Sequence, residues 1–192
     1  ASGVPSGFHS LDKITSGWQR SDLIIIAARP AMGKTAFILS MAKNMALDYN
    51  SPVAVFSLEM SNVQLVNRLI MNVCQLEGEK IKNGQLDKYE WEKFDKDINL
   101  LLDAPIFVDD TPSLSIFELR SKARRLVKEH KIQCIIIDYL QLMNASGMSF
   151  GSREQEVSII SRSLKGLAKE LDIPIIALSQ LNRGVEGRTG IE

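Results

Sequence analysis

L-I-I-I-A-A-R-P-A-M-G-K-T, residues 23–35, is the stretch that decides the fold. Residues 23–27 form a short run that is apolar at every position, as in a strand buried on both faces. G-K-T follows at 33–35, and apolar residues then recur at helical spacing to about Leu47. Strand, loop and helix in that order are the context a phosphate-binding loop requires. Successive backbone N–H groups, here those of Ala31, Met32, Gly33, Lys34, Thr35 and Ala36, wrap phosphate oxygens at the positive end of a helix. The ammonium of Lys34 neutralises the β- and γ-phosphates, and the hydroxyl of Thr35 ligates Mg²⁺. Gly33 has no Cβ, which lets the backbone come close to the ligand. Ala28 stands where the common G-x-x-x-x-G-K-[ST] pattern has its first glycine, and Pro30 stiffens the loop. The competing reading is an ordinary strand–helix turn with Lys34 on the surface.

Outward from this loop, short apolar runs recur at 53–57, 106–108, 134–137 and 175–178. Helical stretches separate them: one after Ser61, one after Asp87, one opened by the capping box S-I-F-E at Ser115 and running to about Glu129, and one from Arg153 to about Leu171. Strands alternating with helices predict an α/β doubly wound fold with a mostly parallel central sheet. Two segments read as loops: the Gly/Ser-rich run 144–152, and the tail from Asn182 to the end, whose last residues read as a frayed terminus.

Carboxylates at the carboxyl ends of central strands are the candidates for hydrolytic chemistry, one acting on water and one on the metal's water shell. Glu59 stands just past the second run in S-L-E-M, and Asp138 ends the fourth in I-I-I-D-Y. Asp138 also reads as a cap or turn residue, and Glu59 as a cap, although Ser61 is the more natural one. Gln180 closes the last run in S-Q; an amide there can donate one hydrogen bond and accept another, or simply face solvent. Asp109 and Asp110 read as a turn into the helix after Ser115. The cations Arg120, Lys122, Arg124, Arg125, Lys128 and Lys131 read as a solvated helix face or subunit contact rather than a nucleic-acid patch. Phe8, His9 and Trp18 read as packing residues, with an aromatic contact to a base as the alternative.

Composition sets bounds on these readings. The chain has 192 residues, 45% hydrophobic and 24% charged, ordinary values for one globular domain. Its 23 Lys and Arg balance 23 Asp and Glu, so no strong overall field attracts nucleic acid, and local loops or a ring of subunits would have to supply it. Cys74 and Cys134 lack paired spacing and read as core residues in a reducing compartment. No apolar run reaches the roughly 20 residues that span a bilayer. Residues 1–7 match neither a signal nor a transit peptide, so a cytoplasmic protein without membrane contact is the expectation.

Taken together, S-G-V-P-S-G-F with L-D and T-S-G-W (2–18), A-A-R-P-A-M-G-K-T (27–35), F-S-L-E-M-S (56–61), D-D-T-P (109–112), I-I-D-Y-L-Q-L-M (136–143) and S-Q-L-N-R (179–183) resemble the motor domain of DnaB-type replicative helicases across essentially the whole chain. The resemblance implies a RecA-like P-loop fold and an ATP- and Mg²⁺-dependent motor that moves 5′ to 3′ on single-stranded DNA. It implies that Glu59 is the catalytic base, Asp138 the metal-side carboxylate and Gln180 the sensor linking the γ-phosphate to DNA loops at 144–152 and beyond 182. It also places Arg68 near the nucleotide, where a helix-surface arginine is the plain alternative. A homohexameric ring, a primase and a helicase loader are the implied partners. On the same basis residues 1–192 are one ATPase core lacking the family's N-terminal domain and its arginine finger. Such a finger is worth about 10³–10⁵ in rate in comparable enzymes, so the fragment is expected to bind nucleotide and hydrolyse it poorly. Two other functions share parts of the pattern: a recombinase or clock-type RecA-like ATPase, and a non-catalytic assembly module in which the carboxylates only set metal affinity.

Overall fold

A computed structural model describes residues 3–29, 33–74, 80, 83–145 and 151–180. Five strands form one parallel sheet in the order β1-β5-β4-β2-β3: β1 Leu23–Ala28, β2 Val53–Ser57, β3 Ile106–Asp109, β4 Cys134–Asp138 and β5 Ile175–Gln180. Among the described residues the helices are α1 His9–Thr15, α2 Lys34–Asp48, α3 Asn62–Cys74, α4 Lys88–Leu102, α5 Ile116–His130 and α6 Arg153–Leu171, with a 3₁₀ turn at Leu140–Leu142. The expected α/β fold with a parallel sheet is the one observed. Four strands run one or two residues further than the apolar runs suggest, because their last positions, Ala28, Asp109, Asp138 and Gln180, still pair in register. Helix α1 has no counterpart in the sequence reading, since no apolar face marks it and none of its residues is buried.

The strand order explains the two-sided burial. The chain steps outward from β1 through β2 to β3, then back through β4 to β5. Crossovers between parallel strands are almost always right-handed, so the reversal moves the helices from one face to the other. On one face Ile38, Met41 and Met45 of α2 meet Val53, Val55, Ile136, Ile176 and Leu178. On the opposite face Leu119 and Ala123 of α5 and Ile160 and Leu164 of α6 meet Ala54, Phe56, Ile135, Ile137 and Ala177. Alternate residues of each strand thus serve alternate faces, which is why β2 and β4 are buried at every position. Trp18 belongs to the first core, its indole N–H donating to the sulfur of Met41 at 3.3 Å, and Phe8 stacks on Phe37. Cys134 is fully buried and free, and burial pushes its thiol well above the usual range; the side chain of Cys74 lies outside the described residues.

Caps set the helix starts. Ser115, Ser152 and Asp87 each accept the amide three residues on. Ser61 and Gln64 bond reciprocally at the start of α3, Gln64 N–H to Ser61 Oγ at 3.3 Å and Ser61 N–H to Gln64 Oε1 at 3.0 Å. Asp109 accepts the Thr111 amide and the Lys122 ammonium, which supports the turn reading; Asp110 reaches across to the Asn62 amide. The basic helix α5 is engaged within the chain in part: Lys122 turns inward to Asp109, and Arg124 forms a bidentate pair with Glu170 of α6. No helix among the described residues is long and apolar enough to cross a membrane.

Candidate active site

The five described strands point the same way, so their carboxyl ends share one edge, where Asp138 and Gln180 end their strands and Glu59 stands just past β2. Gly33 is the N-cap of α2 at φ +69°, a left-handed conformation that favours glycine. A Cβ at this position would meet no atom within 4 Å. Backbone conformation, not crowding within the chain, therefore requires the glycine. The first turn of α2 carries no acidic side chain, so its amides and positive end are left to an external anion.

Lys34 and Thr35 follow in that first turn. The Lys34 ammonium stands 3.1 Å from Glu59 Oε2 and 3.4 Å from Asp138 Oδ1, and 4.3 Å above the ring of Tyr139. Thr35 is buried. The turn that carries Glu59 is fixed by Ser57, whose hydroxyl donates to Met60 O at 2.8 Å and accepts from the Met60 amide at 3.2 Å. The Leu58 amide donates to Asp138 O at 2.8 Å, which ties the turn to the end of β4. Because Ser61 and Gln64 cap α3, Glu59 is free of that task and its side chain is 43% exposed.

Asp138 differs in setting. It ends β4 opposite Ser57 and is 2% exposed, and the peptide bond to Tyr139 is cis. The 3₁₀ turn that follows takes no side-chain cap, so Asp138 does not act as a capping residue there. Burial raises its carboxyl above the ordinary value, with Lys34 opposing and Glu59 adding to the rise; Arg68 lowers it slightly. Its Oδ1 has the ion-pair contact with Lys34 but no hydrogen-bond partner. A buried carboxylate oxygen without a hydrogen-bond partner fits Mg²⁺, which keeps several waters and takes few protein ligands. Among the described residues no cluster of three or more His, Cys, Asp or Glu could hold a metal alone, His9 included.

Gly33, Lys34, Thr35, Ala36, Glu59, Met60, Gln64 and Arg68 line one open, mostly polar cleft of about 470 Å³. Arg68 thus faces the cleft rather than an unrelated surface. Ala31 and Met32 lie outside the described residues. Gln180 ends β5 opposite Ala28, the last residue before the loop. A second groove, of about 270 Å³ between α3 and α4, has apolar walls (Val66, Leu69, Ile98, Leu102) and no charged lining, so it offers no hydrolytic chemistry.

Sequence reasoning missed Tyr139, Ser57 and Gln64. Gln64 was legible, since S-x-x-Q is a capping signal. Tyr139 and Ser57 act through folded geometry that no spacing encodes. The segment 144–152 also differs from the loop expected: Asn144 pairs by backbone with Leu114 and Ile116, and Ala145 is fully buried, so the stem belongs to the core. Residues 146–150 and the tail from Leu181 lie outside the described residues.

Comparison with known proteins agrees with this geometry. The family model for the DnaB-like helicase C-terminal domain matches residues 3–191. The chain is 52% identical over 186 residues to the replicative DNA helicase DnaB of Geobacillus stearothermophilus, covering 97% of this chain and 41% of that protein. It is 54% identical to the DnaB of a Nostoc species over 97% of this chain and 21% of that protein. It therefore spans well under half of the curated relatives it matches. Among solved structures, a DnaB-like replicative helicase described with its interactions with primase superposes with a TM-score of 0.88 at 40% identity, over 98% of this chain and 45% of that one. A second solved structure, described as an ATPase domain, superposes with a TM-score of 0.88 at 40% identity, over 97% of this chain and 66% of that one. With its parallel sheet, glycine-capped α2 and paired carboxylates, this chain belongs to the family of DnaB-like helicase C-terminal domains.

Proposed function

We propose that this chain is the ATP-hydrolysing motor of a replicative DNA helicase, acting with Mg²⁺ to move along single-stranded DNA and separate the duplex. The observation that carries the reading is the convergence of one ammonium, Lys34, on two carboxylates of unlike exposure, Glu59 and Asp138, with Lys34 and Glu59 lining a polar cleft. In the bound state Lys34 moves its charge onto the β- and γ-phosphates, while the amides of residues 31–36 cradle them. Thr35 and Asp138 hold Mg²⁺, which supplies charge neutralisation at the phosphates. Glu59, released from Lys34, orients a water and takes its proton as the oxygen adds to the γ-phosphorus and the bond to ADP breaks. Arg68 adds positive charge on the far wall. Gln180, at the end of the strand beside Ala28, reports the γ-phosphate to the segments that grip DNA.

The full assembly is a homohexameric cytoplasmic ring, with primase and a loader as partners. A ring also answers the charge problem: a neutral subunit needs copies around one channel to build a basic lining. Contacts to the sugar-phosphate backbone would be sequence-tolerant and salt-sensitive.

The test is ATP-dependent strand separation on forked DNA by the full-length protein, with the free tail on the 5′ or the 3′ strand and Lys34→Ala as control. Unwinding that needs the 5′ tail and vanishes in the control is the expected result. Hydrolysis without unwinding on any fork, with the loader supplied, would point instead to a recombinase or clock-type ATPase.

A further inference from the structure

Strands β4 and β5 pair only as far as Ile137 and Ala177. Beyond that point the β4 chain turns away into the 3₁₀ turn, while β5 runs on for three residues to Gln180. On the abandoned side the carboxamide of Gln141 takes over. Its Nε2 donates to Gln180 O at 3.2 Å and to Ser179 Oγ at 2.8 Å, and its Oε1 accepts from the Gln180 amide at 3.2 Å. One side chain thus makes the two backbone bonds that a neighbouring strand would make.

Gln141 is itself held. Its carbonyl accepts from Arg153 Nη2, the first residue of α6, which also donates to Met143 O at 3.2 Å. Arg153 Nη1 pairs with Glu156 Oε1, and Glu156 Oε2 accepts from the Ala145 amide at 3.3 Å. Glu156 is buried, at 8% exposure, and Ala145 is fully buried. On the other side of residues 146–150, the Gly151 amide donates to Gln155 Oε1 at 2.6 Å. The first turn of α6 therefore pins both stems of that segment and, through Gln141, the end of β5. A buried carboxylate is costly unless its partners are fixed, so a shift at one member of such a network disturbs the rest.

We infer that Gln141, braced by Arg153 and Glu156, is a positioning residue that ties the strand end carrying Gln180 to the stem at Ala145, and so couples nucleotide turnover to single-strand binding. The inference rests on the proposed motor function. Gln141 touches neither the phosphate loop nor the carboxylates among the described contacts, so its loss is expected to act on coupling and not on the chemical step itself.

The experiment uses the full-length protein as wild type, Gln141→Ala and Gln141→Glu. Steady-state ATP hydrolysis is measured with and without saturating oligothymidylate, resolving kcat and KM, and the affinity of labelled oligothymidylate is measured with a non-hydrolysable ATP analogue and with ADP. Gln141→Glu keeps the length and one acceptor for the Gln180 amide but loses the donor to Gln180 O. In both variants basal kcat and the KM for ATP are expected within about twofold of wild type, while stimulation by oligothymidylate falls by about fivefold or more, the lower end of usual inter-site coupling. The affinity ratio between the two nucleotide states should collapse towards one. Unchanged stimulation in either folded variant overturns the inference. So does a proportional loss of basal and stimulated turnover, or failure of both variants to fold, since either marks a purely structural residue. A wild type that oligothymidylate does not stimulate overturns the motor reading itself, and the inference with it.

Discussion

Asp138 and Glu59 face the same ammonium group from two differently built regions. Asp138 ends the central strand of the sheet, fully surrounded, with its carboxyl raised by burial. Glu59 stands on a serine-bound turn one strand over, with its side chain 43% exposed. The sheet supplies rigidity at the expense of solvation, which suits a carboxylate whose charge is to be matched by a cation. The turn leaves access to water, which suits a group that takes a proton from it. The phosphate loop provides the shared partner, so the two regions are coupled through Lys34.

Removing the shared partner is the largest test of this comparison. Lys34→Ala should lower ATP hydrolysis by about 10²–10³ or more, the scale for losing one preorganised charge at a developing anion, and should weaken nucleotide binding measured by a fluorescent analogue. Asp138→Asn should also abolish most turnover and raise the Mg²⁺ concentration needed for half-maximal rate. It should not lower the melting temperature at neutral pH, because it removes a buried charge. The sign follows from the raised carboxyl: the folded chain holds the proton more tightly than the unfolded one, so Asp138 begins to oppose folding as pH rises past the ordinary Asp value and does so fully above its raised value. Any advantage of Asp138→Asn should therefore shrink as pH falls through that range, and a variant that melts well below wild type at pH 7 would contradict the assignment of burial as the dominant cause.

Smaller effects are expected at the turn that carries Glu59. Ser57→Ala removes the hydroxyl that both donates to and accepts from Met60. It should cost about 1–2 kcal/mol of stability in a denaturant titration and reduce kcat several-fold, leaving nucleotide affinity near wild type; unaltered kcat would show that the turn does not depend on Ser57. The smallest effect belongs to Asp109, at the far edge of the sheet. Burial alone would raise its carboxyl, but the Lys122 ammonium at 2.7 Å and the Thr111 groups hold it below the usual range. Its contribution is present above the ordinary Asp value and lost as pH falls below it towards the folded value. Asp109→Asn should thus be less stable than wild type at neutral pH by less than about 1 kcal/mol, the gap closing in acid.

Much of this architecture was legible because each apolar run in the sheet is short and continuous, and helical stretches, several opened by a capping residue, separate the runs. Ser115, Ser152 and Asp87 fix three of those starts. Lys34, Glu59 and Asp138 were legible for a related reason: a parallel sheet brings the residues just past its strands to one edge wherever they lie in the sequence. The strand order was not legible, since nothing in a buried apolar run names its neighbour. Nor was the stem at Asn144 and Ala145, where polar and small residues imitate a loop while their backbone groups pair with Leu114 and Ile116. The Gln141 brace escaped for the same reason as Tyr139: both lie just beyond β4, where the chain leaves regular structure and periodicity carries no information.

The most direct test of the account is to measure nucleotide binding and single-turnover hydrolysis together in the full-length protein carrying Glu59→Gln. The exchange keeps size and removes the capacity to take a proton, together with the charge that faces Lys34. ATP affinity is expected within about threefold of wild type and hydrolysis reduced by about 10²–10⁴, the usual worth of a general base. Hydrolysis at the wild-type rate would remove Glu59 from its role and leave the exposed carboxylate as no more than a partner for Lys34.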